Sequence, residues 1–380
     1  MEVMEPILQP GGKDDEYIAS DRVTELYDET SPSEILPTDT KPPLTVLPST
    51  PGWVPTPLAR SPHPSLPTGL AWSPDGTSLA VASEDAIIRV FRPPGTEGLG
   101  TAVNLKETEC VYDFAWCRAS GRLVATGRYQ PVHLWHLGGE TPVIAATYKC
   151  INQLDELSAA HSVALAEDGE TLYCGLRGEV RVFATSRPGR ESTTHLVGEG
   201  GQRGILSCLA LNPSLPVYAA GCYNRTTGLY CRSSGQLLCL LAGQRGGVTQ
   251  VTFSSCGTFL YTGGRKDPEI LCWDLRRPGT LLATLAREAA TNQRTQFTLS
   301  PCSGLLASAN TDGSVRVWEL ARPQAPTHAW LLHSDAVVGL GWHPGGARLA
   351  SCSGQRHFPD PGEEQEGVEE ERVVCLWNLT

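Results

Sequence analysis

One unit recurs seven times from residue 69 onward: a short apolar run, a turn, a second apolar run, a polar turn, and a third run ending on an aromatic side chain. "GLAWSPDGTSLAVASEDAIIRVF", "VTQVTFSSCGTFLYTGGRKDPEILCWD" and "RTQFTLSPCSGLLASANTDGSVRVW" are three of the copies. The closing aromatics are Phe91, Trp135, Phe183, Tyr230, Trp273, Trp318 and Trp377. Their spacing is close to the roughly 40–45 residues of a WD-repeat blade, with one longer gap before Trp377. Each unit exposes apolar faces that only a neighbour can cover, so the copies must stack. Seven four-stranded blades close a ring. The chain therefore reads as all-β, a seven-bladed WD-repeat β-propeller over residues 52–380.

The period carries this reading, because the single motifs are degenerate. Trp273-Asp274 is the one true Trp-Asp pair, and His333 stands where the Gly-His histidine of a repeat falls. Gln244 replaces that histidine in the fifth copy, an exchange expected to weaken the hydrogen bonds that lock the blade. No fourth strand follows Trp377, so the outer strand of the last blade is expected from residues 52–58, "GWVPTPL". Pro55 and Pro57 are tolerable there because an outer strand is a sheet edge.

Residues 1–51 differ from the rest. Before Lys41 they hold eleven acidic residues against Lys13 and Arg22, with frequent proline. Low hydrophobicity and net negative charge predict a disordered acidic tail. The N-terminus lacks the apolar segment of a signal peptide, and no run approaches the roughly 20 apolar residues of a membrane span. The 13 cysteines include no CxxC pair and no zinc-like spacing. They read as small hydrophobes in a reduced, intracellular protein, which makes the sequons at Asn224 and Asn378 chance matches. No metal or cofactor is expected.

The whole chain carries a net charge of -11, but the acidity is unevenly placed. Setting aside the residues before Lys41 and the insertion at 360–372 ("DPGEEQEGVEEER") leaves 23 acids and 27 bases, a mildly basic body. The insertion is expected to be a solvated loop that folding does not need. In a propeller, the turns between second and third strands share one face with the loops that lead into each first strand. The turns carry Arg128, Arg177, Arg225, Arg265, Lys266 and Arg356; the lead-in loops carry Arg203, Arg245 and Arg294. A ring of cations beside glycine suits phosphate contacts, and arginine suits bidentate phosphate binding and stacking. Tyr129, Tyr223 and Phe358 lie at the same rim, suited to stacking on unpaired bases.

Other features read as structural. In "INQLDELSAAHS", Asp155 and Glu156 are expected to be turn acids and His161 a hydrogen-bonded core or near-core residue, since the spacing suits neither a metal nor an acid–base pair. "RPGRES" follows a third strand, which places Arg187 and Arg190 on the face opposite the ring. Ser-Pro pairs at Ser31, Ser61 and Ser73 are weak phosphorylation candidates. Nothing in the sequence assembles a nucleophile with a base, so an enzyme is not expected.

"NQLDELSAAHS", "VRVFATSRPGR", "GRKDPEILCWDLR", "TNQRTQFTLSP" and "SGQRHFP", in that order across the propeller, resemble the telomerase Cajal body protein family, the WD-repeat Cajal body proteins of H/ACA ribonucleoproteins. The resemblance runs from about residue 69 to the end. It implies a non-catalytic nuclear RNA-binding propeller, monomeric within a ribonucleoprotein. It further implies recognition of the CAB box of H/ACA-type small Cajal body RNAs and telomerase RNA, and partnership with dyskerin and other Cajal body proteins. The implied location is the nucleus and Cajal bodies, with the cytoplasm as a second site. A protein-only scaffold that reads a peptide is the alternative.

Overall fold

The computed structural model describes residues 54–93, 99–100, 102–118, 120–139, 141–356 and 371–379. The acidic tail, Phe358 and nearly all of the acidic insertion lie outside them. Every element among the described residues is a β-strand, and the strands form seven four-stranded antiparallel sheets. We number the blades in chain order: 67–106, 111–148, 162–196, 206–242, 248–286, 297–331 and 337–379. The protein is a seven-bladed β-propeller.

The last blade is completed from the other end of the chain. Pro55–Pro62 pairs antiparallel with Val373–Leu379 as the outer strand. This strand starts inside the stretch expected from sequence but runs to Pro62, past the expected end at Leu58. A bulge between Pro57 and Ala59 lets the proline-rich half follow the edge.

Packing explains the period. The buried apolar residues fall into seven clusters, and each cluster is shared by two neighbouring blades. In each cluster the closing aromatic of a third strand sits against the preceding blade: Trp273 packs with Ala219 and Leu229 of blade 4, and Trp377 with Val315 and Val317 of blade 6. The strands pack their apolar residues on both faces, and the second strands are almost wholly buried, as in "LAVAS" (Leu79–Ser83) and "LVATG" (Leu123–Gly127). The 13 cysteines are unpaired and mostly buried. Burial pushes the Cys208 thiol up to about 12.

Polar side chains tie each lead-in loop to its blade. In blade 7, Trp377 donates to Ser351 Oγ at 2.7 Å, Ser351 pairs with His333 Nε2 at 2.7 Å, and His333 Nδ1 faces Glu371 Oε1 at 3.3 Å. Blade 5 builds the same chain with an amide. Trp273 donates to Thr262 Oγ1 at 3.1 Å, Thr262 donates to Gln244 Oε1 at 2.7 Å, and Gln244 Nε2 donates to Asp267 Oδ2 at 2.9 Å. The expected weakening at Gln244 is thus corrected: a carboxamide presents one acceptor and one donor, as a neutral imidazole does. Gln202 serves blade 4 likewise, accepting from Tyr230 at 2.7 Å and donating to Ala220 O at 3.0 Å.

Glu371 corrects a second expectation. It belongs to the acidic insertion by sequence, yet it is buried and accepts hydrogen bonds from Ser334 N, Ser334 Oγ and Asp335 N, with Arg60 at 2.8 Å. The insertion therefore returns to the blade one residue before Arg372.

Two outcomes follow from this packing. A chain beginning at His63 lacks the closing strand and leaves the Val373–Leu379 edge and Leu376 uncovered. It should melt well below a chain beginning at Gly52, measured by thermal denaturation; equal melting temperatures would exclude this closure. The second concerns pH. Burial lowers the pKa of His333, with Glu371 opposing. The folded state then binds fewer protons than the unfolded state, so this stability is present above the ordinary histidine pKa of about 6.5 and is lost as pH falls below it. His333→Gln, the residue blades 4 and 5 use in this role, should fold and should flatten the fall in melting temperature between neutral and mildly acidic pH.

Candidate nucleic-acid interface

The turns and lead-in loops of blades 2 to 5 lie on one face, and those of blades 3 to 5 are tied by backbone bonds. Gly178 N donates to Gly204 O at 3.0 Å, Tyr223 N to Ile205 O at 3.0 Å, Arg265 N to Gly247 O at 2.9 Å and Lys266 N to Thr291 O at 2.9 Å. Gly246 and Gly247 are needed for this closeness. A side chain on Gly246 would collide with the Arg265 carbonyl, and one on Gly247 would sit about 3.0 Å from the Tyr223 carbonyl. These glycines serve to pack blade 5 against the blade 4 turn, not to admit a ligand.

On this surface Arg128, Arg177, Arg203, Arg225 and Lys266 are exposed, and Arg265 is half-buried. None of the six has a carboxylate partner among the described residues. The Arg265 guanidinium lies over the Tyr223 ring at 4.3 Å, and Arg128 lies over Tyr129 at 4.8 Å. Such stacking orients the guanidinium, and Arg128 also donates to the Tyr129 hydroxyl at 3.4 Å. Tyr129 is 69% exposed and Tyr223 38%, both unusually open for large aromatics.

The backbone at these positions is unusual. Tyr129, Arg225 and Lys266 adopt φ of 54°, 74° and 49°. In the corresponding turns of blades 3 and 6 the left-handed residues are Gly178 and Gly313. A side chain there costs roughly 1 kcal/mol relative to glycine. Three candidate site residues thus occupy the conformation that glycine would fill more cheaply, as Ala86 (φ 61°) does in the blade 1 turn outside the arc.

The remaining candidates lie differently. Arg294 turns inward across the central channel, donating to Asp113 Oδ1 of blade 2 at 2.9 Å and to Ser207 O of blade 4 at 2.9 Å. It is a strut between three blades, because an arginine long enough to cross the channel finds both a carboxylate and a carbonyl there. Arg245 pairs with Glu269 at 3.2 Å and Arg356 with Glu84 at 2.7 Å, so their charge is compensated. Phe358 lies outside the described residues. The expected ring is therefore an arc over blades 2 to 5, while the turns of blades 1 and 6 carry Asp85 and Asp312 paired with Arg89 and Arg316.

Two further placements depart from expectation. Arg190 bonds Asp155 of the blade 3 lead-in loop at 3.0 Å, and Gly189 bridges Tyr148 of blade 2. The segment after the third strand climbs the outside of the propeller and does not stay on the opposite face. His161 is half-buried, in keeping with a near-core position, but its ring stacks on Tyr112 at 5.2 Å in place of the expected side-chain hydrogen bond.

Sequence reasoning missed Arg287. It is almost wholly buried and donates to the carbonyls of Gly264 (2.6 Å), Asp267 (3.3 Å) and Thr295 (3.1 Å). Burial pulls its pKa down to about 10, so it stays charged at neutral pH. By binding the backbone on either side of Arg265 and Lys266, it fixes the turn that presents them. "LAREAATN" gave no signal of this role, since nothing local marks an arginine that satisfies distant carbonyls.

The WD domain, G-beta repeat family matches residues 57–92, 235–274 and 280–319. Telomerase Cajal body protein 1 of Rattus norvegicus is 39% identical over 336 residues, covering 82% of this chain and 63% of its own length. The Homo sapiens protein of that name is 37% identical over 326 residues, covering 80% and 59%. The Drosophila melanogaster telomerase Cajal body protein 1 homolog is 32% identical over 328 residues, covering 79% and 59%. The chain spans about three fifths of the length of these relatives. Over that aligned span, the chain is similar to the telomerase Cajal body protein 1 sequences, and it carries WD repeats.

Proposed function

We propose that this chain is a non-catalytic, telomerase- and Cajal-body-associated scaffold whose arc over blades 2 to 5 binds single-stranded RNA. On this reading the RNA is the CAB-box loop of H/ACA-type RNAs, including telomerase RNA. The chain then brings those dyskerin-containing particles to Cajal bodies in the nucleus. The names of its relatives supply the telomerase and Cajal body association. The observation that carries the RNA reading is the set of six cations without carboxylate partners among the described residues, two of them lying over tyrosine rings, on one surface. Phosphates fit the cations and unpaired bases fit the open rings. A rigid presentation lowers the ordering cost of binding, and Arg287 with the bonded turns supplies that rigidity.

The test is salt dependence. Each lost phosphate contact to a single strand should flatten the log-affinity against log-salt slope by roughly 0.7. Arg265→Ala with Lys266→Ala should weaken binding to a CAB-box RNA hairpin and flatten the slope, with little change in melting temperature. Arg277→Ala with Arg322→Ala, in exposed turns after third strands on the other face, should leave the slope unchanged. Equal slopes for the two double variants would overturn the RNA reading and favour a peptide-reading scaffold. Arg225→Gly separates stability from binding: it should hold or raise stability by up to about 1 kcal/mol, because glycine prefers the left-handed turn, while weakening RNA binding.

A further inference from the structure

The inner strands of five blades share one irregularity. Each has a bulge at its second residue: Thr68, Tyr112, Ser207, Thr249 and Val338 in blades 1, 2, 4, 5 and 7. A bulge re-aims a side chain away from the regular alternation of a strand. Four of these side chains are short. Tyr112 is the exception, and its ring lies against His161, at the lead-in to the blade 3 inner strand, at 5.2 Å with 21° between the planes. Both rings are half-buried. The pair stands beside Asp113, which anchors the Arg294 strut, so the channel beneath is crossed by an ion pair.

We infer that Tyr112 and His161 form a stacking shelf at the mouth of the channel for one unpaired base of the bound RNA. The inference rests on the RNA reading above and adds to it the residues that receive a base. An uncharged ring pair suits a nucleobase, which offers a π-face but no charge. Burial lowers the pKa of His161 and keeps the shelf neutral at neutral pH. The charged part of the ligand has its own place: Arg128 lies on the turn of the same blade, and Arg225 and Arg265 on the turns of blades 4 and 5. A single strand laid along that arc has phosphates on the cations and can turn a base inward onto the shelf. The strut stops the base from entering deeper.

The test compares two probes, a single-stranded CAB-box loop RNA and its abasic counterpart, which keeps the ribose-phosphate chain and lacks bases. Tyr112→Thr installs the residue that blades 1 and 5 carry at this bulge, so the strand should form normally. It should weaken binding of the base-bearing RNA by about tenfold or more, the range of one lost stacking contact. It should leave abasic binding and the salt slope unchanged, and Tyr112→Phe should retain full affinity. Arg265→Ala with Lys266→Ala should instead weaken both probes. Equal loss for both probes in Tyr112→Thr, or no loss for either, overturns the shelf while the RNA reading stands. Failure of the unaltered protein to bind either probe overturns both.

Discussion

Burial between blades is the interaction on which everything else depends. No blade owns a core. Each of the seven apolar clusters needs side chains from two neighbours, and the closing aromatic of one blade fills the cluster of the blade before it. Hydrophobic burial of this kind contributes roughly 25 cal/mol per Å² removed from water, and a single four-stranded sheet cannot collect it alone. The requirement explains why the repeat survives while its sequence signature decays. Packing asks for an aromatic of about the right size, so Phe, Tyr and Trp all serve, and the polar chain behind it asks only for one donor and one acceptor, so Gln serves as well as His.

The rim obeys different demands. Its residues bury little, so packing does not choose them. Tyr129, Arg225 and Lys266 sit in a conformation that glycine adopts more easily, and Arg287 is buried at the cost of desolvating a charge to steady one turn. Stability alone explains neither choice. Together they describe a surface held in one shape, on a scaffold whose own stability lies elsewhere.

The fold was legible because the signal was redundant: seven copies of the strand pattern outweigh the loss of nearly every Trp-Asp and Gly-His motif. The face of each turn was legible too, since strand order in a blade dictates it. Partnership was not. Arg294 and Arg265 look alike in sequence, each following a polar or glycine residue in a rim loop. One reaches Asp113, 181 positions away, and the other lies over Tyr223. Glu371 looked like part of a charge run and proved to be a buried acceptor, because charge runs are read by composition and hydrogen bonds are made atom by atom. Tyr112 was hidden in an ordinary strand, and only the bulge sets it apart.

The closing strand bears on synthesis. The hydroxyl of Thr56 bonds the carbonyl of Asn378 across 322 positions. A ribosome adding about 5–20 residues per second needs on the order of 15–60 s to cross that interval. Blades 1 to 6 can assemble in order during this time, but the first strand to emerge must wait for the last to appear. Until then, the partial ring has two open ends, with the blade 1 cluster around Leu70 and Trp72 at one of them. A nascent chain in this state exposes apolar surface that the finished ring covers, and its ring is completed only once translation has delivered both halves of the final blade.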